Sequence, residues 1–102
     1  ISEYNGGMPG AVKLFIDALT VRKYSENFKN KKVGMAGVAS GRAGNLRGME
    51  HLTGIMNYLG AVVMPNRLPI SRISQLIGND GTIVDEATLA VMEKHVQEFI
   101  EF

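Results

Sequence analysis

Two short glycine-containing segments carry the residue types that could hold a ligand. The first, Glu3–Gly10, has the sequence EYNGGMPG, and the second, Ser40–Asn45, has the sequence SGRAGN. Glycine lets backbone N–H groups approach a flat ring or an anion without a Cβ in the way. The ring of Tyr4 and the side-chain amide of Asn5 could add further contacts. These segments, loop one and loop two, are therefore candidate ligand-binding loops.

Few ionisable side chains are candidates for chemistry. Arg42, inside loop two, could pair with a negative charge on a ligand or simply face solvent, whereas Arg47 is expected to face solvent on the helix that follows. His51 and Tyr58 share one flank of that helix and are expected at the surface or at an interface, and His95 is expected to be structural. No Ser–His–Asp triad or carboxylate pair can be assembled, so no catalytic side chain is predicted.

Composition excludes several classes of site. The chain has no cysteine, which excludes disulfides, iron–sulfur clusters and thiolate metal sites, and its two histidines are too far apart in sequence to suggest zinc. The spacing of Gly41 and Gly44 matches neither a dinucleotide fingerprint nor a P-loop. A net charge of +1 gives no electrostatic reason to expect nucleic acid or a membrane surface as a partner.

Helical periodicity predicts three helices around these loops. The first begins at Pro9 and ends before Tyr24, where a polar stretch follows, and the second ends at Gly60, a residue suited to a helix stop. Asp85 is a candidate N-cap for the third helix. The inward residues are predicted to be Val12, Phe15, Ile16 and Leu19 in the first helix, Leu46, Met49, Leu52, Ile55, Met56 and Leu59 in the second, and Leu89, Met92, Val96, Phe99 and Ile100 in the third.

Two apolar runs without polar alternation, Val33–Ala39 and Ala61–Met64, are typical of strands buried on both faces. Pro65 and Pro69 place residues 68–71 at an edge of the sheet or outside it. Strands separated by helices predict a parallel sheet, in which both loops would emerge side by side at the carboxyl edge. Two strands are too few for a stable sheet, and no strand is expected before loop one. We therefore expect half of a larger α/β domain.

Both loops also resemble a known family. The run Glu3–Leu19, EYNGGMPGAVKLFIDAL, resembles the signature P-E-Y-N-G-S-x-P-G-x-L-K-N-x-I-D-x-L of NAD(P)H-dependent FMN reductases, flavodoxin-like proteins that include quinone, azo-dye and chromate reductases. Ser40–Arg47, SGRAGNLR, is similar to the family's second flavin loop, and the resemblance extends over essentially all 102 residues. Ser2, Gly7 and Asn45 depart from the usual Pro, Ser and second Gly, but none removes a backbone donor.

The resemblance implies a five-stranded parallel sheet of order 2-1-3-4-5 with FMN across its carboxyl edge. Residues 1–102 would be the C-terminal half of this single domain and supply its last two strands and last three helices. The flavin phosphate would be held upstream of this chain, in a loop after the first strand. The residues implied to contact FMN are Glu3, Tyr4, Asn5 and Gly6 in loop one, and Ser40, Gly41, Arg42 and Gly44 in loop two.

The function implied by the resemblance is transfer of hydride from NADH or NADPH through FMN to a quinone or similar acceptor, in a cytoplasmic protein. The isolated half would be inactive. Its partners would be the acceptor molecule, the N-terminal half of the domain and further copies of the protein. The unusually broad apolar arc of the second helix fits either contact with a further copy or packing in a methionine-rich core. The alternative is a non-catalytic flavodoxin-like module used for interaction or electron transfer.

Overall fold

A computed structural model describes all 102 residues of the chain, Ile1–Phe102. It is a mixed α/β structure built from short parallel strands flanked by helices. The helices are α1 (Gly10–Thr20), α2 (Tyr24–Phe28), α3 (Leu46–Tyr58) and α4 (Glu86–Glu101), with one 3₁₀ turn at Ile73–Gln75. The strands are β1 (Lys32–Val33), β2 (Ala36–Val38), β3 (Val62–Val63) and β4 (Leu68–Ile70). The helices are too short or too polar to cross a lipid bilayer.

The first predicted strand, Val33–Ala39, is split between β1 and β2. The second, Ala61–Met64, contains only β3, and β4 lies in the segment predicted at an edge of the sheet or outside it. β1 pairs with β3, and β2 with β4, both in parallel. Val33 lies opposite Val63 but Ala36 lies opposite Leu68, so residues 64–67 span the same stretch of sheet as residues 34–35. The second strand therefore makes an excursion at Pro65, which has no N–H for the ladder. β4 pairs with β2 alone, which confirms the edge position predicted for residues 68–71.

A third extended segment lies on the other side of β2. Ser2 forms a parallel bridge with Val38. The Val38 N–H donates to the Ile1 carbonyl at 2.8 Å, and the Glu3 N–H donates to the Val38 carbonyl at 3.1 Å. The expectation that no strand precedes loop one was wrong, because three residues are too few to show an alternating pattern. At this end the sheet contains three extended segments of the chain: residues 1–3, β2 and β4.

Helices α1, α2 and α3 cover one face of the sheet and enclose the main core. The buried residues of this core are Met8, Ile16, Phe28, Met35, Met49, Leu52 and Leu59. Gly37 permits close packing, because a Cβ there would lie 2.9 Å from Met49 Cε. Phe28 anchors α2, a helix in place of the predicted polar stretch, so the chain has four α-helices and not three. Phe15 was predicted to be buried but is 63% exposed.

Helix α4 covers the opposite face more thinly. Its start follows the prediction: the Asp85 carboxylate accepts from the Thr88 N–H at 2.9 Å and the Thr88 hydroxyl at 2.6 Å. Phe99 packs on Gly34, where a Cβ would lie only 2.9 Å from the ring. The inward face was predicted correctly only in part: Met92 and Phe99 are partly buried, but the one buried residue of α4 is His95. Three residues predicted to be inward are largely exposed: Leu89, Val96 and Ile100.

Candidate functional site

Loop one is a tight turn. Asn5 and Gly6 both have positive φ, +50° and +77°, and Tyr4 and Gly7 exchange two backbone hydrogen bonds, at 2.9 and 3.0 Å. This is the geometry of a two-residue type I′ turn, for which Asn-Gly is the preferred sequence. The turn fixes the backbone and leaves the Tyr4 side chain 65% exposed, so its ring is available to contact a ligand.

Loop two leaves the end of β2 and leads directly into α3. Its backbone is held by residues that follow β4: the Arg72 N–H donates to the Gly41 carbonyl at 3.0 Å, and the Ser71 hydroxyl donates to the Arg42 carbonyl at 2.7 Å. Sequence reasoning missed this support, because Ser71 and Arg72 have no pattern that links them to a segment so distant along the chain. Loop two is therefore held by the edge strand.

The N–H groups of loop two are free. The four consecutive backbone donors from Ser40 to Ala43, all in exposed residues, lack an acceptor within the chain, although the carbonyls of Gly41 and Arg42 are both bonded. A row of unpaired N–H groups is suited to a ligand that presents several hydrogen-bond acceptors. Gly41 adds no obstruction, since a Cβ at this position would meet no atom within 4 Å.

The two loops lie side by side at the carboxyl edge of the sheet. The Glu3 N–H is bonded to Val38, two residues before loop two begins, and the Asn45 Nδ2 donates to the Ile1 carbonyl at 3.0 Å. A Cβ on Gly6 would lie 3.9 Å from Arg47 Cδ, so the helix after loop two reaches the turn of loop one. The structure thus gathers at one edge the eight residues predicted to form the site.

Gly44 differs from the other seven in its environment. It is buried, with φ +57°, and a Cβ there would lie 2.6 Å from Pro69 Cβ. Glu3, Tyr4, Asn5, Ser40, Gly41 and Arg42 are exposed, and Gly6 is intermediate. Gly44 therefore allows loop two to pass closely over β4.

The charges around loop two favour a ligand with negative character. Arg42, Arg47 and Arg72 lie in the loop or next to it, and none forms a salt bridge within the chain. The positive end of the α3 dipole lies directly after the loop. Three unpaired guanidinium groups and a row of N–H donors thus make this edge electropositive.

The loops do not enclose a cavity by themselves. None of the surface cavities is lined by a residue of loop one or loop two. His51 and Tyr58 lie elsewhere, in a groove of about 490 Å³ between α1 and α3. A ligand at the loops would thus bind to an open edge of this chain.

Comparison with known families assigns the chain to one of them. The model of the NADPH-dependent FMN reductase family matches residues 1–75, which include both loops. The chain belongs to this family. The match confirms the resemblance carried by the two motifs, and with it FMN and NAD(P)H as the cofactor and co-substrate of the family.

A solved structure agrees with the family assignment. FerB from Paracoccus denitrificans, a flavoenzyme NAD(P)H:(acceptor) oxidoreductase, superposes on 97% of this chain with a TM-score of 0.82 and 26% sequence identity. The matched region is 55% of the FerB chain, so the present chain spans about half the length of that protein.

The two loops fit FMN in their donor chemistry. The isoalloxazine ring is planar and carries carbonyl and ring-nitrogen acceptors along one edge, and loop two presents unpaired N–H donors beside the exposed ring of Tyr4. Glycines at the turn of loop one and at Gly41 leave space for the backbone to approach a flat molecule.

Proposed function

We propose that this chain is part of an NAD(P)H-dependent FMN reductase and contributes the loops that contact the isoalloxazine ring. The observation that carries the proposal is the row of unpaired N–H groups in the exposed residues Ser40–Ala43, adjacent to loop one. Bound FMN supplies the redox chemistry, accepting hydride from NAD(P)H and delivering electrons to a quinone or a similar acceptor.

The residues of this chain would bind FMN and orient its isoalloxazine ring. We assign the cofactor contacts to Glu3, Tyr4, Asn5 and Gly6 on one side, and to Ser40, Gly41, Arg42 and Gly44 on the other. Most of these contacts would come from backbone groups fixed by the type I′ turn and by the bonds from Ser71 and Arg72. No side chain is assigned an acid–base role, because the transferred hydride requires position and electrostatics from the protein.

We also propose that residues 1–102 form the C-terminal half of a flavodoxin-like domain with strand order 2-1-3-4-5. The open edge of the inner strand supports this assignment. Gly34 is exposed, and neither its N–H nor its carbonyl has a hydrogen-bond partner, whereas Val38 is paired with Ile1 and Glu3 further along the same edge. An upstream strand continuing the line of residues 1–3 would satisfy those groups.

The domain is proposed to associate with further copies of itself through the helical face opposite α4. The groove between α1 and α3 is lined by apolar side chains such as Ile16 and Ile55, with His51 at its rim. Tyr58, on the same groove, is 86% exposed, and Phe15 on α1 is 63% exposed. Large apolar surface of this kind is typical of protein interfaces.

The test uses the full-length protein that contains these residues. We expect it to bind FMN, absorb at flavin wavelengths and oxidise NAD(P)H, and we expect the isolated 102-residue chain to bind FMN weakly because the phosphate contact is upstream. Gly41→Pro removes one unpaired N–H and should weaken FMN binding roughly three- to tenfold. Gly41→Ala keeps the N–H, places its methyl group in open space and serves as the matched control.

The outcomes separate the possible functions. A full-length protein that remains colourless and oxidises no NAD(P)H with added FMN contradicts the proposal. FMN binding without NAD(P)H oxidation favours the non-catalytic electron-transfer module. Equal FMN affinity in the two Gly41 variants, with both folded by thermal melting, would show that the Gly41 N–H does not contact the cofactor.

A further inference from the structure

Asn45 is the most constrained polar residue in the chain. It ends loop two, its side chain is completely buried, and its backbone is left-handed with φ +62°. Its Nδ2 donates to the Ile1 carbonyl at 3.0 Å, while its Oδ1 is buried without a partner. This is the one side-chain hydrogen bond that joins loop two to the strand end ahead of loop one.

The neighbouring helix is adapted to this side chain. Gly48 lies in the first turn of α3, where a Cβ would be 2.1 Å from Asn45 Oδ1, 2.8 Å from Cγ and 2.9 Å from Nδ2. The three nearest obstacles to a Cβ at position 48 therefore all belong to the Asn45 amide. Glycine is a poor helix former, so α3 gives up helix propensity at Gly48 to make room for that amide.

We propose that Asn45 is a positioning residue that sets the separation of loops one and two, with Gly48 as its required steric partner. The inference rests on the proposed function, because that separation matters for FMN only if both loops contact the ring. Asn45 is suited to the role because asparagine tolerates the left-handed backbone and its amide reaches the neighbouring strand. Its hydrogen bond transmits any shift at the start of α3 to residues 1–3.

The first test is Asn45→Gly in the full-length protein. Glycine keeps the left-handed backbone but removes the bond to Ile1, and we expect FMN affinity to fall roughly three- to tenfold. Asn30→Gly is the matched control, because Asn30 is also left-handed, with φ +61°, but is exposed and its side chain makes no hydrogen bond. That control should leave FMN affinity unchanged.

The second test separates positioning from folding. Gly48→Ala alone should lower the melting temperature, since its methyl group collides with the Asn45 amide. In the Asn45→Gly background the same change should raise the melting temperature, because the amide is gone and alanine favours the helix. The double variant Asn45→Gly/Gly48→Ala should therefore regain stability but keep the weakened FMN binding. Wild-type FMN affinity in this stable double variant would overturn the proposal.

Amide hydrogen exchange provides a readout independent of the cofactor. We expect the Glu3 and Val38 N–H groups to exchange faster in the double variant than in wild type, because both bonds lie between residues 1–3 and β2. If the wild-type protein binds no FMN, the proposed function fails, while faster exchange still supports the positioning role. Unchanged exchange at both amides overturns that role whatever the result with FMN.

Discussion

The two faces of the sheet differ in how completely their helices cover it. On the α1–α3 face, Ile16, Met49 and Leu52 are at most 7% exposed and form one continuous core. On the α4 face, Leu89 is 45% exposed and Ile100 is 69% exposed. A parallel sheet needs apolar cover on both faces, so the first face carries most of the chain's stability and the second has surface left for another element.

A surface cavity lies beside α4, on this less completely covered face. It has a volume of about 390 Å³, and its lining includes Val33, Gly34, His95 and Phe99. The unpaired N–H and carbonyl of Gly34 lie at the same place. The incomplete face and the open strand edge are therefore one continuous region, which agrees with the proposal that an upstream half completes the domain.

The largest expected effect on stability comes from making the same substitution, Met→Ala, on each face of the sheet. Met49→Ala removes a fully buried side chain from the α1–α3 core and should lower the free energy of unfolding by about 2–5 kcal/mol. Met92→Ala, on the half-buried side of α4, should cost only about 1 kcal/mol. Urea unfolding of both variants measures the difference. Equal losses would contradict the assignment of the main core to the α1–α3 face.

A second prediction concerns His95, the buried polar residue on the α4 face, and its replacement by an apolar side chain. Both ring nitrogens of His95 are buried without a hydrogen-bond partner, and an unpaired buried polar group is destabilising. His95→Leu should therefore raise the free energy of unfolding of the 102-residue chain by about 1 kcal/mol. The control, His51→Leu at an exposed position of α3, should change it by less than about 0.5 kcal/mol.

The same two variants, His95→Leu and His51→Leu, can also be compared in the full-length protein. If the upstream half provides a partner for His95, the substitution there becomes destabilising, because it removes a hydrogen bond and leaves the partner unpaired. A stability loss already present in the 102-residue chain would show that the imidazole is satisfied within this half, against the structure described here.

The smallest effect concerns the start of α4. The hydroxyl and then the N–H of Thr88 donate to the Asp85 carboxylate and hold its pKa below the ordinary value of 3.8. Because the pKa is lower in the folded chain, this contribution to stability is complete above 3.8 and is lost as pH falls through the folded-state value.

Circular dichroism at 222 nm should therefore show helix loss on acidification that Asp85→Asn reduces. The asparagine side chain keeps an oxygen acceptor but does not titrate. Thr82 lowers the pKa of Asp80 in the same way, so Asp80→Asn controls for acid effects outside α4. An identical acid transition in wild type and Asp85→Asn would rule out this contribution.

Features with a local cause were predicted well from the sequence. Asp85 caps α4 and Gly60 follows α3 with φ +85°, because capping and helix stops depend on residues within one turn. The adjacency of the two loops was also predicted, since the carboxyl ends of parallel strands meet at one edge. These features required no knowledge of what covers the sheet.

Features that depend on distant packing were predicted poorly. Helical periodicity gives the apolar face of α4 but cannot show how much of it is covered, so Val96 was placed inside although it is 54% exposed. Helix α2 is too short for a periodic signal and depends on burial of Phe28. Asn45 was noted only as a departure from the family pattern, because the Ile1 carbonyl it binds is remote in sequence.

The excursion at residues 65–67 joins the two faces. Asn66 donates from its side chain to Glu98 of α4 at 2.6 Å, while Arg67 forms a salt bridge with Glu50 of α3 and lies 3.3 Å from the Thr53 hydroxyl. Two successive residues thus contact helices on opposite sides of the sheet. The break in the strand therefore supplies side-chain contacts to both helical layers.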